Sequence, residues 1–344
     1  MIECLLYEIE SKKEYVTDNN ITSIYFGGGT PSLLQTNEIE KLLQKIYSVF
    51  EVNENIEITL EANPDDISVQ KVMEWKQAGI NRLSIGIQSF FEEDLQFMNR
   101  GHNALQAEKC IEIAIENGIE NLSIDLIFGF PLLTHEKWMA NIEKVLQKKI
   151  NHVSCYGMTV EPKTALAHMI AQNKVPNLDN EQSANQYKYL MQTLAENGFE
   201  QYEISNFAKP HFEAKHNSSY WNDSHYIGIG PSAHSYNGTS RQWNIANNAK
   251  YIEAISKHSV PFDIEYLSRE DKLNEEIMIS IRNKNGLDLN NFLNKLSIAE
   301  REIFKEKIDC FLKEHTMKQD QNAVIVLTTQ GKLFADAIAS ELFL

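Results

Sequence analysis

The 344 residues can bury a large core and a smaller second one, and 42% hydrophobic with 23% charged residues is the balance of a globular chain. A net charge of -16 argues against a nucleic-acid surface, which needs clustered Lys and Arg to meet phosphates. No apolar run reaches the length of a transmembrane segment, and the acidic start Met1-Ile-Glu-Cys-Leu-Leu-Tyr-Glu is unlike a signal peptide, so a cytoplasmic protein is expected.

In chain order, residues 1–15 are predicted as a helix with Leu5, Leu6 and Ile9 on one face and acidic residues on the other. The apolar run 21–26 reads as a strand that breaks into three glycines, Gly27 to Gly29, followed by Thr30 and Pro31. Residues without Cβ let backbone N–H groups converge on a carboxylate or phosphate, Thr30 adds a hydroxyl, and Pro31 fixes the exit. The spacing matches neither a Walker loop nor a dinucleotide fingerprint, and a tight strand-to-helix turn is the alternative. A helix carrying Leu42, Leu43 and Ile46 follows, with Thr36 as its N-cap.

Strands are then predicted over 56–60, 82–87, 122–128 and 152–159, with helices over 69–78, 94–98, 105–117 and 136–147. Such βα repetition gives a parallel sheet or barrel with helices outside. A helix over 180–198 closes on Asn197-Gly198, and a strand over 201–205 follows. Residues 207–243 are aromatic and irregular, and the composition turns charged around 266–272. Helices over 272–283, 289–294 and 298–315, a hairpin within 317–328 and a last helix read as a winged-helix-like module. The expected architecture is α/β, a partial (β/α) barrel over 1–265 and a C-terminal winged-helix-like α+β domain over 266–344. That shape on so acidic a chain does not imply DNA binding.

In a parallel βα barrel the ligand site lies where strands end, so polar residues there are candidates. Thr30 follows the first strand, Glu61 closes the second, Gln88 closes the third and Asp125 interrupts the fourth. A buried, unpaired Asp125 carboxylate would be costly unless a ligand or cation meets it, with Arg100 as a candidate partner. Each residue singly could serve a structural salt bridge. Together, groups of both signs on one rim suit a zwitterionic ligand with hydroxyls, such as an amino acid joined to a nucleoside. Cys4, Cys110, Cys155 and Cys310 make no CxxC group, and Cys110, among Ile111, Ile113 and Ala114, reads as a buried structural thiol.

Tyr25-Phe-Gly-Gly-Gly-Thr-Pro, Glu61-Ala-Asn-Pro, the segment from Gly79 to Phe90, Arg100-Gly-His, Asp125-Leu-Ile-Phe-Gly, Tyr202-Glu-Ile-Ser-Asn-Phe and Gly228-Ile-Gly-Pro-Ser-Ala-His-Ser strongly resemble the radical S-adenosylmethionine (SAM) family of oxygen-independent coproporphyrinogen III oxidases. The resemblance spans essentially the whole chain. His216-Asn-Ser-Ser-Tyr-Trp221 resembles the haem-associated motif of that family's haem chaperone branch. It implies SAM contacts at Gly28, Gly29, Thr30, Glu61, Gln88, Arg100 and Asp125, with Thr159 and His234 at two further positions. It also implies haem at His216, Tyr220 and Trp221, with His216 as the candidate iron ligand at a site distinct from SAM. On residue chemistry alone, His216 as a loop histidine and Trp221 as a core anchor remain the alternative.

Family members carry a strand and a CxxxCxxC before the first helix, holding a [4Fe-4S] cluster with one iron open to SAM. Met1 falls in what corresponds to that helix, and a truncated version of a longer protein is expected, with the cluster only in the full-length form. The implied function is a haem chaperone delivering haem to haem-accepting proteins. The alternatives are oxidative decarboxylation of coproporphyrinogen III by radical SAM chemistry and a cluster-less SAM-domain scaffold.

Overall fold

A computed structural model describes residues 1–17 and 20–344. The chain runs α1 (Ile2–Ser11), β1 (Asn20–Phe26), α2 (Thr36–Val49), β2 (Glu51–Ala62), α3 (Val69–Ala78), β3 (Arg82–Gln88), α4 (Glu92–Phe97), α5 (Ala104–Glu116), β4 (Leu122–Phe128), α6 (His135–Gln147) and β5 (His152–Gly157). Strands β1 to β5 are parallel and adjacent in sequence order, as short βα connections favour. After α7 (Ala165–Ala171) and α8 (Asn180–Glu196), β6 (Glu200–Gln201) and β7 (Asn206–Ala208) extend the sheet, β7 lying antiparallel beside β5. The seven strands curl into a half-barrel.

Strand alternation decides what faces where. Ile58, Leu60, Leu83, Ile85, Ile87, Leu122, Ile124, Leu126 and Val153 point outward and join the helices, including Trp75 and Trp138, in the main core. Their neighbours Glu57, Thr59, Arg82, Ser84, Ser123, His152 and Ser154 are buried on the opposite, inner face.

Four expectations need correction. Of the predicted strand over 201–205, Gln201 ends β6 and residues 202–205 form the turn to β7, because the Glu203 carboxylate accepts from the Ser205 N–H at 3.0 Å and from the Asn206 amide, bending the chain. The cap of α2 is Gln35, one residue before Thr36, and its N–H donates to Glu38 at 2.9 Å. Glu8 does not sit on a solvated face of α1. It is buried and accepts from Asn244 at 2.6 Å, Gly230 at 2.8 Å and Tyr251 at 2.5 Å, so its oxygens are satisfied by protein donors. Finally, β5 ends at Gly157, so Thr159 lies beyond it.

Residues 207–243 organise around α9 (Lys215–Ser219), β8 (His234–Tyr236) and β9 (Ser240–Asn244); after α10 (Asn248–Ser256), β10 (Phe262–Tyr266) completes a three-stranded antiparallel sheet. The remaining chain forms α11 (Arg269–Ile281), β11 (Leu287–Asp288), α12 (Leu289–Asn294), α13 (Ile298–Lys313), β12 (Met317–Gln319), β13 (Val324–Leu327), α14 (Thr329–Lys332) and α15 (Ala335–Leu342). Its helices pack on the sheet β11-β13-β12 around a separate core that includes Ile277, Phe292, Phe304, Ile325 and Leu342.

Candidate functional site

At the C-terminal ends of β1 to β4 the half-barrel opens into a cleft of about 210 Å³, lined by Gly29, Thr30, Glu61, Asn63, Ser84, Gly86, Gln88, Arg100 and Asp125 among others. Six expected residues therefore meet on one rim. Gly28 adjoins them: its N–H donates to Glu61 Oε2 at 3.2 Å. Gly28 and Gly29 have φ of +74° and +71°, a left-handed turn that turns the chain over the cleft and that side chains with a Cβ rarely adopt. Gly27 is needed for closeness instead, since a Cβ there would lie 2.5 Å from the Tyr25 ring.

Electrostatics set the character of the cleft. Asp125 is pushed up to about 7, first by burial and then by the charge of Glu61. Arg100 does not pair with it, contrary to expectation. Its guanidinium instead donates to Asn63 Oδ1 at 2.8 Å and to the Gly86 carbonyl at 3.2 Å, while its buried Nε has no partner. Gln88 adopts φ +67°, an uncommon conformation for a residue with a side chain, at the point where the β3–β4 register shifts. A backbone held in this way at a strand end is typical of a site that places a side chain for a ligand. The rim thus brings together two carboxyl groups, one guanidinium, one side-chain amide and the glycine turn. Thr159 and His234 do not line the cleft; the His234 ring stacks on Trp243 at 6.2 Å in the β8–β9 pair.

His216 enters the same face from the other side. The N–H groups of Lys215 and His216 donate to the two oxygens of Glu57, each at 3.0 Å, docking α9 on the inner face of the sheet. The imidazole lies on the Tyr25 ring with centroids 4.5 Å apart and planes 17° from parallel. Ser23 Oγ lies 3.2 Å from Nδ1 and the Tyr220 hydroxyl 3.1 Å from Nε2. Burial, then the charge of Arg82, lowers its pKa to about 4, so the ring is neutral at pH 7, the form that binds metal. Tyr220 stands edge-on to the ring. Trp221 points elsewhere: the Arg282 guanidinium lies 5.5 Å over its ring, Asn283 Nδ2 donates to its carbonyl at 3.2 Å, and it lines a second cavity, of about 800 Å³, with Tyr236, Leu267 and Leu273.

Sequence reasoning missed Tyr25, Ser23, Glu57, Arg82 and His152 as parts of the inner face. The signal was there, since Glu57-Ile-Thr-Leu-Glu61, Arg82-Leu-Ser-Ile-Gly86 and His152-Val-Ser154 alternate polar with apolar residues where a sheet covered on both sides would read as continuously apolar. The cysteines offer nothing to a cluster: Cys110 and Cys155 are buried, Cys4 lies in α1, Cys310 is exposed in α13, and among the described residues no three ligands converge. A [4Fe-4S] cluster does not fit the residues present.

The curled parallel sheet with a glycine turn and a polar rim defines a partial (β/α) barrel of the radical SAM class. The Radical SAM superfamily profile matches residues 6–145, and the structure of coproporphyrinogen III oxidase (HemN) from Escherichia coli superposes with a TM-score of 0.82 at 21% identity, over 99% of this chain and 82% of that one. The haem chaperone HemW of Bacillus subtilis is 33% identical over 93% of this chain and 84% of its own length. HemW of Haemophilus influenzae is 29% identical over the whole of this chain and 88% of its own. The chain belongs to the HemW family.

Proposed function

We propose that this protein is a haem chaperone: it holds haem through His216 and passes it to haem-accepting proteins, with SAM in the rim cleft. The observation that carries the reading is the placement of the His216 imidazole, stacked on Tyr25 and backed on one nitrogen by Ser23, with the Tyr220 hydroxyl at the other. A ligating histidine commonly keeps its second nitrogen hydrogen-bonded in this way. Similarity to the haem chaperones of Bacillus subtilis and Haemophilus influenzae supports the same function. For SAM, the glycine turn and the Thr30 hydroxyl suit its carboxylate end, Gly28 holding Glu61 for the ammonium, and Asp125 suits its ribose hydroxyls. Bound SAM would supply, with a reduced cluster, a radical source, which the four scattered cysteines of this chain do not support.

Haem titration followed in the Soret band tests the reading. The wild type should bind one equivalent and give it up to a competing apoprotein such as apomyoglobin, and His216→Ala should lose the ligated band. Equal spectra for both proteins would reject His216 as the ligand. Conversion of coproporphyrinogen III to a decarboxylated product would favour the oxidase instead.

A further inference from the structure

Strand β1 presents two polar residues to the inner face, Ser23 and Tyr25, and both touch His216 although 193 residues separate Ser23 from it. Tyr25 also touches the rim, donating its hydroxyl to Glu61 Oε1 at 2.7 Å while Glu61 Oε2 accepts from Gly28 at 3.2 Å. One side chain is thus shared by the two candidate sites, its ring packed on the imidazole and its hydroxyl held by a carboxylate that lines the cleft. The contact is built rather than incidental. Gly27 leaves room for the ring, because an alanine Cβ would lie 2.5 Å from Tyr25 Cε1 and 3.0 Å from Glu61 Oε1. Burial and the Glu61 charge keep the phenol protonated, so it always has a proton to donate.

We propose that Tyr25 is a positioning residue that makes the rim cleft and His216 one coupled unit: a cationic or zwitterionic ligand that engages Glu61 shifts Tyr25 and so changes how His216 is held for a metalloporphyrin. The proposal rests on the SAM and haem assignments made above, and it extends them with a link between the sites. A ligand ammonium competes with the Tyr25 hydroxyl for Glu61. The ring that moves is the one stacked on the imidazole, and affinity at one site then depends on occupancy of the other by the same factor in both directions.

The link can be read with and without ligands. In protein labelled with 15N-histidine, the ring signals of His216, identified by their loss in His216→Asn, should move when Glu61→Gln weakens the phenol contact, and move again in Gly27→Ala, which displaces the Tyr25 ring. Adding SAM to the wild type should move them too, and adding it to Tyr25→Phe, which keeps the ring but lacks the hydroxyl, should not. Haem affinity with and without saturating SAM should differ by about 5-fold or more in the wild type and be equal in Tyr25→Phe. Signals of His216 that stay fixed in folded Glu61→Gln and Gly27→Ala overturn the link. So does an equal SAM response in wild type and Tyr25→Phe. Calorimetry separates this from failure of the rim assignment: SAM heat without a His216 response removes the coupling alone, whereas no SAM heat removes the cleft as a SAM site, and Glu61→Gln still decides whether the two sites are linked.

Discussion

At Asp125, burial and the nearby Glu61 hold the carboxyl at about 7, against an ordinary value of 3.8. Between those values the folded protein keeps a proton that the unfolded chain has released, so this group's contribution falls as pH rises from about 4 to about 7. Asp125→Asn should therefore gain on the wild type by on the order of 2 kcal/mol at pH 8 and by much less at pH 5, measured as urea unfolding midpoints. A cationic ligand favours the ionised form, so binding near pH 7 should expel a proton, visible as a calorimetric heat that changes with the ionisation heat of the buffer. The same substitution should weaken SAM binding by about 10-fold or more, the loss of one charge-assisted contact. His152 has the opposite sign. Burial, then Arg82, depresses it well below 6.5, with Ser123 and Tyr202 each 2.7 Å from a ring nitrogen, so its contribution is lost as pH falls below 6.5 and the unfolded chain takes up a proton.

Among the elements, α9 is too short to be stable alone, and its place depends on what it docks against. Glu57, buried on β2, caps its first N–H groups and is also the carboxylate nearest Arg82, with Nε at 3.9 Å. Arg82 is 1% exposed, and its Nε and one Nη have no hydrogen-bond partner. Glu57→Ala would strand that charge and free α9 together. A loss of about 3–5 kcal/mol is expected in urea unfolding. Glu57→Gln keeps one acceptor for α9, so it should lose less stability while still exposing residues 210–226 to limited proteolysis faster than the wild type. The glycine turn depends first on backbone conformation: Gly28→Ala places a Cβ at φ +74° and should cost about 1–2 kcal/mol, read as a lower urea unfolding midpoint.

Across the whole molecule, two large apolar cores are separated in sequence, the first built on β1 to β5 with the helices around them, the second on residues 273–342. Polar ties run between the parts they organise: Lys284 to Glu200 and Glu213, Arg241 to Glu275, Lys332 to Gln201, and Arg282 with Asn283 on Trp221. We propose a domain boundary near residue 266, as the charged stretch 266–272 implies. Exposed ion pairs weaken in salt while apolar cores do not. Unfolding of the chain should therefore resolve into two transitions as sodium chloride rises from about 0.1 M to about 1 M. A single coincident transition at both salts, by fluorescence and circular dichroism, would reject the boundary. Among the described residues no helix is long and apolar enough to cross a membrane.

The βα alternation, the glycine turn and the strand-end residues Thr30, Glu61, Gln88 and Asp125 were legible from local periodicity and polar residues at strand ends, whereas Arg100, past α4, was placed among the SAM contacts by the family resemblance. So was His216 as a residue of interest, since its motif is contiguous. The partners follow from three-dimensional packing. Arg100 turns to Asn63 and Gly86 rather than Asp125, and Glu8 is buried against Asn244 and Tyr251. Residues 202–205 fold back because Glu203 meets Asn206. Tyr25 joins Glu61 to His216 across chain separations that no repeat of period two or 3.6 can encode. Side-chain periodicity fixes which face a residue takes, and only the curl of the sheet brings opposite ends of the chain to that face.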